Sequence, residues 1–130
     1  MKKYLVDANV ILRFLMRDDG KLSDLADKIF SKIEKKKISA ILSILTLHEV
    51  LYVATRGYGI SREMIANSIL KLLLLKNVDT LEINKEKVVE MLNCWKILNV
   101  DWPDIYLFTM SKEIGEVISF DKDFEKLKKY

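Results

Sequence analysis

A single cysteine, Cys94, excludes an internal disulfide and a thiolate-ligated zinc cluster. A single histidine, His48, leaves any catalytic triad or histidine-rich metal site resting on one residue. The four glycines (Gly20, Gly57, Gly59, Gly115) form neither a dinucleotide fingerprint nor a phosphate loop. The lone proline, Pro103, and the absence of low-complexity tracts or repeats argue against a flexible joint, so residues 1–130 are read as one domain. No apolar run approaches the ~20 residues needed to cross a bilayer. The basic start Met1-Lys2-Lys3 leads into an apolar run that Asp7 cuts short, unlike a signal peptide. A cytoplasmic protein without a membrane partner is expected.

What is present is a composition half hydrophobic and about one-third charged, with a net charge of +3. That balance suits a soluble globular chain and mildly favours a polyanionic partner. Lysines crowd 35–37 and 122–129, whereas acids stand singly or in tight pairs. With sulfur, imidazole and glycine-loop chemistries removed, carboxylates are the remaining candidates.

Periodicity sets out the elements. Lys3 to Val6 reads as a short buried strand, followed by an apolar helix from Asn9 to Met16 that Asp18-Asp19-Gly20 breaks. Leu22, Leu25, Ala26, Ile29, Phe30 and Ile33 recur at helical spacing up to the lysine run. Strands are expected at Ile38–Leu42, Val78–Ile83 and Glu116–Phe120. Helices are expected at about Thr46–Thr55, from a Ser61 cap to about Leu75, at Asn84–Leu98, from Asp101-Trp102-Pro103 through Ile114, and from about Asp123. Strands alternating with helices predict a three-layer α/β/α domain around a mostly parallel sheet of four or five strands. Ligands in such sheets sit at the carboxyl ends of strands, where Asp7 and Asp121 fall.

Each acid also has a plain structural explanation. Asp7 suits the cap of the first helix. Thr46-Leu47-His48-Glu49 fits a capping box. Asp104 suits a helix dipole. Asp121 and Asp123 suit the turn into the last helix. Their convergence would not be neutral, because two carboxylates ~4 Å apart repel by about 4 kcal/mol at an effective dielectric near 20. Four such groups on one edge call for a cation. Mg²⁺ or Mn²⁺ matches oxygen donors and would activate water against a phosphodiester.

The chain resembles the PIN-domain nucleases, and among them the VapC-type toxins of toxin–antitoxin pairs. Four segments carry the resemblance: Tyr4-Leu5-Val6-Asp7-Ala8-Asn9-Val10-Ile11-Leu12, Leu45-Thr46-Leu47-His48-Glu49-Val50, Asp101-Trp102-Pro103-Asp104-Ile105-Tyr106 and Ser119-Phe120-Asp121-Lys122-Asp123-Phe124. Their order and spacing span nearly the whole chain. The resemblance implies an Mg²⁺- or Mn²⁺-dependent endoribonuclease with Asp7, Glu49, Asp104 and Asp121 as its acids. Asp7, Asp104 and Asp121 would hold metal, and Glu49 would orient or deprotonate water. Asn9 and Ser119 match the family's small polar positions in support. Asp101 competes with Asp104, and Asp123 with Asp121; Asp104 and Asp121 are preferred, with Asp101 and Asp123 supporting. Trp102-Pro103 departs from the small residues usual there.

Other residues have two readings each. Arg13 and Arg17 share a helix face and are candidate contacts to RNA or an antitoxin, or a solvated face. Trp95 and Trp102 are candidate base-stacking residues, with Trp95 at core spacing. Cys94 and His48 are read as structural. The leucines at 72–75 sweep around their helix, which predicts surface left over for another chain; the family resemblance offers a homodimer partner or an antitoxin segment. The alternative function is a catalytically silent PIN-like module that binds RNA or protein. A phospho-accepting receiver-like domain or an Asp-x-Asp phosphatase would want a second acid where Asn9 stands.

Overall fold

A computed structural model describes residues Met1 to Tyr130. Three short strands, β1 (Lys2–Leu5), β2 (Ile38–Leu42) and β3 (Val78–Thr80), form a parallel sheet in that spatial order. The register sets Tyr4 beside Ala40 and Ala40 beside Val78. Parallel neighbours need long crossovers, and helices supply them. α1 (Ala8–Met16) and α2 (Gly20–Glu34) lead from β1 to β2; α3 (Ile44–Tyr52) and α4 (Arg62–Leu73) lead from β2 to β3. Three more helices complete the chain: α5 (Lys85–Ile97), α6 (Trp102–Ile114) and α7 (Asp123–Lys129).

Side-chain caps explain where most helices begin. Asp19, Ser43, Ser61 and Asn84 each accept a hydrogen bond from a backbone N–H in the first turn of α2, α3, α4 and α5. The capping box expected at Thr46 does not form, because α3 starts earlier, at Ser43. There the acidic partner is Glu82: Ser43 Oγ donates to Glu82 Oε2 at 2.6 Å, and the Ile44 N–H donates to Oε1 at 2.9 Å. This carboxylate ties the chain after β3 to the start of α3.

One hydrophobic cluster runs from Val6 on the β1 side to Leu127 in α7, with Ile11, Ile33, Leu47, Ile69, Leu92 and Trp102 almost fully buried. Phe14 and Phe30 stack at 4.2 Å and lock α1 to α2. The leucine-rich α4 turns Ile65, Ala66, Ile69, Leu72 and Leu73 into this core, leaving Met64 and Leu74 exposed. Its surplus apolar surface is therefore smaller than the sequence predicts, since α4 packs against α5 as well as the sheet.

The expected fourth strand does not form, and the sheet has three strands rather than four or five. Residues 116–120 have no ladder partner, and Ile118 and Phe120 are fully exposed at 99% and 108%. Just past this segment the backbone bonds to nearby side chains instead. The Asp121 N–H donates to Ser119 Oγ and the Asp123 N–H to Asp121 Oδ1, both at 2.9 Å. Such local bonds compete with a sheet ladder. β3 likewise stops before Ile83, where Thr80 Oγ1 donates back to the Ile83 carbonyl. No helix is long and apolar enough to cross a membrane.

Candidate metal-binding site

Trp102 is the anchor of the site. Its indole is buried, and its N–H donates to the Ile44 carbonyl at 3.1 Å. Ile44 opens α3 just after β2 ends, so this bond fastens the start of α6 to the carboxyl edge of the sheet. Pro103 follows in the first helical turn, where a missing N–H is harmless. Asp104 is thereby held half-buried over that edge. α7 packs on α6 by burying Phe124 and Leu127, which brings the start of α7 to the same place. Carboxylate oxygens of Asp104, Asp121 and Asp123 consequently lie within 4.8 Å of one another.

This crowding acts on Asp104. Burial pushes the Asp104 carboxyl above its ordinary value, and the charges of Asp121, Asp101 and Asp123 push it further the same way. The first turn of a helix normally favours a negative charge, so crowding outweighs the dipole here. Asp121 is oriented by its bond to the Asp123 N–H, and Asp123 Oδ1 lies 3.4 Å from Lys126 Nζ. An exposed pair of that kind is worth only about 0.3–0.5 kcal/mol. Carboxylate oxygens without sulfur or imidazole are the donor set of a hard divalent cation. The three residues therefore fit such an ion, whose charge would reverse the pressure on Asp104.

The remaining expected residues fall in several places. Asp7 follows β1, is exposed, and accepts from the Ala8 N–H at 2.9 Å as the cap of α1. Glu49 is exposed on α3, and with the capping role taken by Glu82 it has no structural duty there. Neither joins the three clustered aspartates. Asn9 is exposed in α1, and Ser119 receives the Asp121 N–H. Asp101 precedes α6, and its carbonyl accepts from the Asp104 and Ile105 N–H groups; its charge, not its side-chain bonding, reaches Asp104.

Arg13 and Arg17, the candidate contacts to RNA or an antitoxin, each hold an acid. Arg13 pairs with Asp18 at 2.9 Å and donates to Tyr58 Oη at 3.1 Å. Arg17 holds Asp27 through two bonds of 2.7 and 2.9 Å. Trp102, a candidate for stacking bases, is a core residue, as is Trp95. Cys94 is buried, and burial raises its thiol out of reactive range.

Two functional side chains escape a reading by pattern. Glu82 lay inside an expected strand, which hid its role as a tether. Arg62 donates to the carbonyls of Trp95, Leu98 and Val100 at 2.8, 2.9 and 3.0 Å and lies 4.4 Å from the Trp95 ring centroid. The signal was there: a cation in the first turn of a helix opposes the dipole and so needs another reason.

An α/β domain that gathers acids beyond the carboxyl edge of a parallel sheet belongs to the class built to hold a cation and a charged ligand there. More particularly, the sequence matches the PIN domain over residues 4–130, and the chain belongs to that family. PIN domains are generally nucleases that act on phosphodiesters and use divalent metal ions. No curated protein and no solved structure matches the chain.

Proposed function

We propose that the chain is an Mg²⁺- or Mn²⁺-dependent endoribonuclease, the VapC-type toxin of a toxin–antitoxin pair. The observation that carries this reading is the crowding of Asp104 by Asp121, Asp123 and Asp101, which raises its carboxyl where a helix dipole should lower it. Asp104 and Asp121 hold the ion together with Asp123, which replaces the supporting role first expected of it. Asp7 stands at the end of β1 on the same edge and serves as a further ligand through its free oxygen. Glu49, on α3 beside the cavity-lining His48, orients the attacking water. The bound ion supplies a water of lowered pKa and neutralises charge on the phosphate. The proposed partners are RNA, a second copy of the chain and a cognate antitoxin, all in the cytoplasm.

Cleavage of defined RNAs with Mg²⁺, Mn²⁺ or chelator tests the reading directly. Wild-type protein is expected to cut only with metal, and Asp7→Asn, Glu49→Gln and Asp104→Asn are expected to cut poorly. A second reading, a silent PIN-like binding module, is favoured by one observation: Asp7 and Glu49 stand outside the aspartate trio. Metal-dependent cutting that survives in wild type and fails in Asp104→Asn eliminates it.

A further inference from the structure

Next to the aspartate trio lies a cavity of about 320 Å³, and the nuclease reading gives most of its lining no role. Asp104 belongs to both, so the cavity opens onto the candidate metal site. Its opposite wall is α3 and the wider π-helical turn that continues it, Val53–Gly57. Single π-turns are often found at functional sites. This one is held at its far end, because Tyr58, which follows it, bonds Arg13 in α1 and Asp18 just beyond.

His48, Tyr52 and Arg56 stand four residues apart along this wall and form one strip. The His48 and Tyr52 rings are 6.3 Å apart, and the Arg56 guanidinium lies 5.9 Å from the Tyr52 ring centroid. Tyr52 is 57% exposed and lies outside the hydrophobic core, so much of its ring faces solvent. Arg56 is exposed and, unlike Arg13 and Arg17, has no acid within ion-pair distance. Across the cavity Arg62 is immobilised by its three carbonyls and the Trp95 ring. Arg62 feels the charge of Asp101 and, less strongly, that of the Arg56 guanidinium. One wall thus presents Arg56 and an exposed aromatic ring, and the other carries Arg62 and the acids.

We propose that this cavity binds the nucleotide adjacent to the phosphate being cut, with its phosphate between Arg56 and Arg62 and its base on Tyr52. This rests on the nuclease reading and deepens it: an exposed aromatic platform accepts only an unpaired base, so the substrate is single-stranded at that position. Arg62 fixes the depth of the phosphate, and Arg56, on the exposed turn, closes over it. His48 borders the platform and adds a hydrogen-bonding edge.

The test uses Asp104→Asn protein, which binds without cutting, and a labelled single-stranded oligoribonucleotide in Mg²⁺. Adding Arg56→Ala should weaken binding about 10-fold and reduce the log-affinity against log-salt slope by about 0.7, the loss of one single-strand phosphate contact. Adding Tyr52→Ala should weaken binding 5- to 100-fold with the slope unchanged. Lys28→Ala, on the exposed side of α2, should alter neither. A duplex of the same sequence should bind more weakly than the single strand. Parallel cleavage assays on the otherwise wild-type chain separate the two ideas. If wild type cuts RNA while Arg56→Ala and Tyr52→Ala bind and cut as well as it does, the cavity is no subsite and the nuclease reading stands. If nothing cuts but both variants still lose affinity, the nuclease reading fails and the cavity stands as an RNA-binding site. Equal binding of duplex and single strand overturns the stacking role of Tyr52.

Discussion

Two carboxylates on the same edge of the sheet experience opposite pressures. Burial acts to raise the Glu82 carboxyl, but bonds from the Ser43 hydroxyl, the Ile44 N–H and its own N–H overcome it and leave the group below its ordinary value. Asp104 has burial and three neighbouring acids, all raising it. One carboxylate is satisfied by donors and helps to hold the fold. The other is surrounded by its own kind and opposes it. Groups of the second kind gather at functional sites, where a ligand can resolve the conflict.

Breaking the anchor that holds Asp104 should have the largest effect. Trp102→Ala removes a fully buried side chain and orphans the Ile44 carbonyl, at a cost of about 3–5 kcal/mol against a usual total of about 5–15. Denaturant unfolding would register it, and any metal-dependent activity should vanish with it. Asp104→Asn, in contrast, should keep the fold and lower RNA cleavage by more than about 100-fold, measured at saturating Mg²⁺.

Stability of the metal-free protein sharpens the contrast by its sign. Glu82→Gln should destabilise by about 1 kcal/mol, the value of a lost cap discounted for solvent screening. Asp104→Asn should stabilise by about 0.5 kcal/mol, since it removes one member of a repelling cluster. pH dependence follows the same division. The lowered Glu82 carboxyl contributes stability above its unfolded value of about 4.3, and that contribution is lost as pH falls through the folded value. The raised Asp104 carboxyl does the reverse: the metal-free fold loses stability as pH rises from about 3.9 through the raised value. Acid titrations followed by circular dichroism should therefore show a weaker acid loss in Glu82→Gln and a weaker loss on the rising limb in Asp104→Asn. The smallest effect belongs to Arg17→Ala, whose guanidinium already holds Asp27; RNA affinity should change less than twofold.

Much of the framework was legible because it is local. Hydrophobic periodicity and the Ser61, Asn84 and Pro103 signals located helices close to where they lie, and β1 and β2 followed from short apolar runs. The segment 116–120 misled because Val117, Ile118 and Phe120 look like a strand, while the Ser119 and Asp121 side chains bond the N–H groups of Asp121 and Asp123 and turn the chain into α7. Asp104 and its two neighbours were nameable as acids near helix starts, and Asp123 was read as a supporting residue. Their proximity depends on how α7 packs on α6, which no local pattern encodes. The pairings of Arg13 and Arg17 are hidden for a similar reason, since Asp18, Asp27 and Tyr58 meet them only after α1, α2 and the π-turn have assembled. Glu82 meets the start of α3 only once β3 has paired with β2.

Thermal unfolding of the chelator-treated protein during Mn²⁺ addition addresses the cation directly, without need of a known RNA. Wild type should gain roughly 5–10 °C at saturation, with Asp104→Asn nearly indifferent. Superimposable curves for the two proteins would contradict the claim that a divalent ion relieves the crowded aspartates.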